Sequence, residues 1–221
     1  MNKKNKIILG EVFLLLTLLL ILFVRAVDVA AIGPQGTSIG LSHLNGGIFA
    51  LFGTSHFFYV ITKLIGYFAI LVAIGFAFLG VMELIQRKSL KKIDSVFYSL
   101  AGLYVLTGIL YIFFDKVPVN YRPILETGSS VPEASFPSSH TLLVCVVLGS
   151  AILMLPKFLK NEKLRLIASG VLGLLIVVMA VGRLLSGVHW FTDILGGILI
   201  SGFLLSAFSL ATDILKEKRG R

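Results

Sequence analysis

The sequence predicts an all-α membrane protein, in which six transmembrane helices form a bundle and a short interfacial helix follows the first span. Of its 221 residues, 57% are hydrophobic and 14% are charged, whereas a soluble domain carries roughly 25% charged residues. The mean hydropathy is +0.96. Six apolar runs approach the length of about 20 residues that a helix needs to cross the hydrocarbon core. We therefore expect one membrane-embedded domain over residues 1–221.

The predicted spans cover residues 7–24, 64–85, 96–114, 138–155, 166–185 and 189–215. The first run could be a signal peptide, but it exceeds the usual apolar core of about 7–15 residues and lacks a following small-residue cleavage site. We therefore interpret it as a helix that stays in the membrane. Residues 41–52 are apolar but too short to span, which predicts an interfacial or re-entrant helix. His43 and His56 have no partners at metal-ligand spacing and are interpreted as interfacial histidines.

The net charge of +9 would suit a nucleic-acid partner, but the positions of the charges favour membrane orientation instead. If both termini are cytoplasmic, 15 of the 20 Lys and Arg residues lie on the inner side, in the two tails and two short turns. This is the asymmetry of the positive-inside rule. We expect membrane lipids as surroundings and no nucleic-acid partner. Cys145 is the single cysteine, so the chain has no disulfide framework.

One stretch, residues 183–193, puts Arg183, His189 and Asp193 into otherwise apolar sequence. His189 and Asp193 are four residues apart, which places both side chains on one face if they share a helix. A carboxylate on one imidazole nitrogen fixes the tautomer and leaves the other nitrogen as nucleophile or base. A break at Ser186-Gly187 would turn Arg183 toward His189. The alternative is a set of interfacial polar residues at a helix hairpin.

Three segments that the predicted topology brings to the outer face carry polar side chains: the loop 115–136, the start of the fourth span, and the turn before the sixth. Together they hold Arg122, Ser138, Ser139, His140, Arg183, His189 and Asp193. Arginine forks match phosphate oxygens, and the first amides of a helix favour anions. Pro137 suits the first turn of that helix. These features predict a phosphate site, although the serines taken alone could merely cap a helix.

These residues resemble the motifs of the type 2 phosphatidic acid phosphatases, the membrane lipid phosphate phosphatases related to vanadium haloperoxidases. The third family motif, Ser-Arg-x5-His-x3-Asp, is matched by Gly182-Arg183-x5-His189-x3-Asp193, with glycine for the leading serine. The second, Pro-Ser-Gly-His, is matched by residues 137–140, with Ser139 for glycine. In the first, Lys-x6-Arg-Pro, Arg122-Pro123 is present, but Lys116 lies one position too close.

The resemblance implies a covalent mechanism. His189 attacks phosphorus, Asp193 orients the imidazole, and His140 acts as general acid and then general base. Arg122, Arg183, Ser138, Ser139 and the helix amides would bind the phosphate oxygens, with Lys116 as a further contact if the chain after it is extended. The sequence has no cluster of carboxylates or cysteines for a metal, so we expect neither metal nor other cofactor.

The expected substrate is a lipid phosphate cleaved at the extracytoplasmic face, and undecaprenyl pyrophosphate, phosphatidic acid and phosphatidylglycerol phosphate all fit. Two alternatives stay open. An anion transporter would distribute polar residues through the membrane depth, and these gather at one side. A catalytically weak relative would bind the lipid phosphate without hydrolysing it, which the altered first and second motifs allow.

Overall fold

The computed structural model describes residues 1–125 and 128–219. Its α-helices are α1 (Lys3–Ala26), α2 (Ser42–Phe52), α3 (His56–Arg87), α4 (Ser95–Lys116), α5 (Ser139–Phe158), α6 (Glu162–Leu185) and α7 (Phe191–Arg219). Within these described ranges, six helices are long and apolar enough to cross a membrane, and α2 is the short one. The predicted all-α architecture is confirmed, including the short helix after the first span.

The core of the bundle lies around α5 and α7, which are the most buried of the long helices. Leu142 and Val146 of α5 pack with Leu204 and Phe208 of α7 in one apolar cluster. A second cluster joins α5 to α3 and α6. The outer helices α1, α3 and α6 expose large apolar side chains along their length, as expected for helices that face lipid.

Ion pairs tie the basic segments together at one end of the bundle. Lys6 pairs with Asp213 at 2.6 Å, which joins the start of α1 to the end of α7. Lys157 pairs with Asp94 at 2.5 Å, which brings the end of α5 to the start of α4 at the same end. The two termini and the turns near residues 90 and 160 therefore share one end, as the predicted topology requires.

Most helix ends differ by a few residues from the predicted ones, and three helix starts near the polar residues matter for the site. Helix α3 begins at His56 rather than residue 64, because Thr62 bonds within the helix to Phe58 O at 2.8 Å and does not interrupt it. Helix α7 begins at Phe191, so His189 lies in the preceding turn. Helix α5 begins at Ser139 with Ser138 as its N-cap. The prediction of Pro137 in the first turn was wrong, since it precedes the cap.

Candidate active site

The turn between α6 and α7 reverses the chain so that the ends of both helices meet. Ser186 N–H donates to Gly182 O at 2.8 Å and ends α6. Gly187 has φ +69°, and a Cβ there would lie 2.5 Å from Gly53 O. Only glycine suits both the left-handed conformation and this close approach. The predicted break at Ser186-Gly187 is confirmed.

His189 is held through Ser135, a residue that the sequence analysis did not single out. The Ser135 hydroxyl donates a short hydrogen bond to Asp193 Oδ2, so its oxygen can accept from Nδ1–H of His189, 3.3 Å away. The direct distance from His189 Nδ1 to Asp193 Oδ2 is 3.7 Å, longer than a hydrogen bond. Asp193 therefore orients His189 mainly through Ser135 and not, as predicted, from the same face of one helix.

The second nitrogen of His189, Nε2, is buried and has no hydrogen-bond partner among the described residues. With Nδ1 donating its proton to Ser135, Nε2 carries the free lone pair. Burial, together with the positive charges of Arg183 and Arg122, lowers the pKa of His189 well below its usual value. The ring is therefore neutral at physiological pH, as a nucleophilic imidazole must be.

Asp193 is fixed from several sides at the start of α7. Its Oδ2 accepts the Trp190 backbone N–H at 2.8 Å, in the manner of a capping box. Its Oδ1 accepts from the Asn120 amide at 3.4 Å. Its backbone carbonyl accepts the Ser138 N–H at 2.9 Å, which joins the start of α7 to the start of α5. This network holds the carboxylate and the two helix starts as one unit.

The two predicted arginines approach His189 from different segments. Arg183, in the last turn of α6, is 1% exposed and donates to Thr62 Oγ1 at 3.4 Å. Arg122 lies in the loop after α4, where its backbone N–H donates to Glu133 O at 3.0 Å. Its guanidinium lies 3.4 Å from the Glu133 carboxylate. Both positive charges act on His189, so the structure brings these residues together as predicted.

At the start of α5 the three predicted residues play different parts. The Ser138 side chain is fully buried and caps the helix, accepting from Thr141 N at 3.5 Å and Thr141 Oγ1 at 3.0 Å. The Ser138 side chain therefore caps the helix, which was the predicted alternative to binding phosphate. Ser139 and His140 occupy the first turn and are partly exposed. The amides of this turn precede the first helical hydrogen bond and point outward from the helix start.

Lys116 is the predicted residue that lies apart from the others. It ends α4, its side chain is 76% exposed, and its ammonium pairs with Asp115 at 3.1 Å. Val117 has φ −121° and ψ 77°, so the chain leaves the helix there, but it bends at residues 119 and 120 and is not the extended segment that the prediction required. The side chain points to the surface, and its contact with phosphate stays a prediction.

Two adjoining cavities meet at the first turn of α5. A polar cavity of about 340 Å³ is lined by Arg122, Ser139 and His189, among others. An apolar groove of about 430 Å³ between α3, α4 and α5 is lined by His140, Ser139 and Lys63, among others. Tyr111, Ser139 and Leu142 line both. A phosphate in the polar cavity would therefore sit beside an apolar channel that opens between helices.

Residues that the sequence analysis missed brace this arrangement. Asn45 of α2 is fully buried, donates to Thr192 Oγ1 at 3.0 Å and accepts from Thr192 N at 3.2 Å. The interfacial helix thereby holds the start of α7. No spacing pattern marks Asn45, Asn120 or Ser135, because each reaches the site from a distant segment of the chain.

Within residues 1–125 and 128–219, no three His, Cys, Asp or Glu side chains form a group that could hold a metal. The site instead gathers two histidines, two arginines and one carboxylate. The absence of a cofactor stays a prediction that chelation experiments can test.

The fold and the site define a six-span helical membrane protein with a histidine-centred cluster of charged residues at one end. The model of the PAP2 superfamily matches residues 92–215, and the chain belongs to that superfamily. The matched region contains all three motif segments. The resemblance noted from the motifs is thus confirmed.

Two similar proteins come from Bacillus subtilis. Phosphatidylglycerophosphatase B of strain 168 is 31% identical over 121 residues, which make up 52% of this chain and 56% of that protein. The match thus spans little more than half the length of the relative. The crystal structure of a transmembrane PAP2 type phosphatidylglycerolphosphate phosphatase has a TM-score of 0.62 at 18% identity, covering 95% of this chain and 96% of that chain. This second similarity concerns the fold.

Proposed function

We propose that this protein is a metal-independent lipid phosphate phosphatase that works through a phosphohistidine on His189. The observation that carries the proposal is the buried Nε2 of His189, which has no hydrogen-bond partner among the described residues, in a ring whose pKa the charges of Arg122 and Arg183 help to lower. A neutral, oriented imidazole beside two guanidinium groups suits attack on a phosphorus whose oxygens the arginines neutralise.

The reaction proceeds in two steps. His189 Nε2 bonds to phosphorus while the bond to the lipid oxygen breaks, and His140 donates a proton to that oxygen. Water then attacks the phosphohistidine and gives a proton to His140, which releases inorganic phosphate and restores both histidines. Arg122, Arg183 and the first amides of α5 hold the equatorial oxygens, the main source of catalysis in phosphoryl transfer.

The adjoining cavities favour a lipid substrate. The apolar groove opens between α3, α4 and α5, where acyl or isoprenyl chains can enter from the bilayer while the phosphate reaches the polar cavity. Phosphatidylglycerol phosphate is the first choice because both similar proteins are phosphatases of that lipid. Phosphatidic acid and undecaprenyl pyrophosphate are the other substrates in the proposed range.

The test is phosphate release by the purified protein in detergent from these three lipids. We expect turnover with at least one of them, unchanged by chelators and inhibited by vanadate, which mimics five-coordinate phosphorus. Binding of all three lipids without phosphate release would favour a lipid-binding relative. Activity lost on chelation and restored by a divalent ion would contradict the metal-independent mechanism.

The proposed location of the site is the extracytoplasmic face, with both termini in the cytoplasm, and cysteine labelling tests it. We expect Ser130→Cys, at an exposed position of the loop before α5, to react with an impermeant maleimide in intact cells. The matched control is Lys91→Cys in the exposed turn before α4, which should react only after permeabilisation. Cys145 is buried and should give little background. The reverse pattern would invert the topology.

Arg122 and Lys116 should differ in their contributions to the transition state. Arg122→Ala should cost more than about 3 kcal/mol, or a roughly 150-fold loss of kcat/KM, because a preorganised donor beside the reacting phosphate is removed. Lys116→Ala should cost at most about 1–2 kcal/mol, because its ammonium is an exposed point charge. Steady-state kinetics of both variants provide the measurement, and equal losses would contradict the assignment.

A further inference from the structure

The first turns of α3 also border the site, in addition to the three segments that carry the family motifs. Tyr59, Thr62, Lys63 and Gly66 share one helical face, with spacings of three, four and seven residues from Tyr59. Thr62 accepts a hydrogen bond from Arg183 at 3.4 Å. A Cβ added to Gly66 would lie 3.2 Å from Cδ2 of His140, so the two residues are in close contact. This face therefore touches both Arg183 and His140.

Lys63 is the charged residue on this face. Its ammonium lies 5.1 Å from the centre of the Tyr59 ring, and the guanidinium of Arg183 lies 5.7 Å from the same ring. Lys63 also lines the apolar groove together with His140. In the described part of the chain no carboxylate pairs with Lys63. Lys63 is a half-buried residue that lines an apolar groove. A positive charge there gains from a counter-charge, so the groove suits an anionic ligand.

The arrangement of the two histidines indicates which part of a substrate would meet Lys63. His189 lines the polar cavity, whereas His140 lines the groove. In an in-line displacement the leaving oxygen departs on the side opposite the attacking nitrogen. The leaving group therefore lies on the His140 side, in the groove that contains Lys63.

Resting on the proposed function, we infer that Lys63 binds a phosphate carried by the leaving group itself. Such a substrate has two phosphates: the terminal one is transferred to His189, and the inner one stays with the lipid. Phosphatidylglycerol phosphate leaves a phosphodiester anion in the groove, and undecaprenyl pyrophosphate leaves a monophosphate. Phosphatidic acid leaves an uncharged diacylglycerol, which gives Lys63 nothing to neutralise. Lys63 is thus a specificity residue for two-phosphate lipids.

The experiment compares Lys63→Met and Lys63→Arg with the parent protein on phosphatidylglycerol phosphate and phosphatidic acid with the same acyl chains, and on undecaprenyl pyrophosphate. Lys63→Met should lower kcat/KM for the two-phosphate lipids by roughly 10- to 100-fold, the effect of one charged hydrogen bond, mainly through KM. Its activity on phosphatidic acid should stay within about threefold of the parent. Lys63→Arg keeps the charge and should recover most of the loss.

The outcomes separate this inference from the proposed function. A parent protein that releases phosphate from none of the lipids overturns the proposed function. If the parent is active and Lys63→Met is affected equally on all three lipids, or on none, only the role of Lys63 is overturned. Should Lys63→Met not fold, Lys63→Gln takes its place as the uncharged variant. If the activities on the three lipids stand in the same ratio in Lys63→Gln as in Lys63→Arg, the inference is overturned.

Discussion

His189→Ala should abolish phosphate release from every lipid tested, because it removes the nitrogen that forms the covalent bond to phosphorus. The variant should still fold, since the Ser135–Asp193 hydrogen bond and the Trp190 N–H to Asp193 bond at 2.8 Å hold the turn without the ring. Loss of a catalytic nucleophile typically costs several orders of magnitude in kcat. Steady-state phosphate release, with size-exclusion chromatography as the check on folding, provides the measurement.

A second readout tests the intermediate itself. The parent protein, quenched in alkali during turnover of a substrate labelled in its terminal phosphate, should carry label that acid removes, as expected for a phosphohistidine. His189→Ala should carry none. The matched control is His43→Ala, which removes an exposed histidine that pairs with Asp28 at 2.7 Å, outside the site. It should match the parent in rate and labelling. Turnover of His189→Ala within tenfold of the parent would contradict the covalent mechanism.

The spans and the motif segments could be predicted because their signals are local. A run of apolar residues long enough to cross the bilayer can be recognised without knowing which helices it packs against. The charge asymmetry then gives the orientation of the spans across the membrane. The helix ends were less certain wherever a polar residue bonds within its own helix. Thr62 is an example: its hydroxyl is satisfied by Phe58 O at 2.8 Å, so α3 continues through it.

The residues that position the site could not be predicted, because their partners are far away in sequence. Ser135 lies 58 residues from Asp193 and Asn45 lies 147 from Thr192. Each acts through hydrogen bonds whose partners the sequence does not specify. Lys63 lies one residue before the predicted second span, and its contact with the groove follows only from the packing of α3 against α5. The spacing of Lys116 suggested a phosphate contact, whereas an adjacent carboxylate, Asp115, pairs with it at the surface.

His140→Ala should slow both half-reactions, because the same imidazole protonates the leaving oxygen and later activates water. His140 lies in the first turn of α5 and lines the groove that would hold the leaving group. A positioned general acid or base contributes roughly 10²- to 10⁴-fold, and a loss of that size is expected with lipid substrates. p-Nitrophenyl phosphate has a leaving group that departs without a proton, so the first step of the variant should be partly rescued with it.

The rescue should take a specific kinetic form. Since water attack still lacks its base, the phosphohistidine of His140→Ala should accumulate, giving a burst of p-nitrophenol followed by a slow steady rate. Gly66→Ala offers a graded comparison, because its added Cβ would lie 3.2 Å from Cδ2 of His140 and displace the ring without removing it. It should show the same pattern with a smaller loss. Equal losses for His140→Ala with good and poor leaving groups, and no burst, would mean that His140 does not protonate the leaving oxygen and acts only as a neighbour of the phosphate.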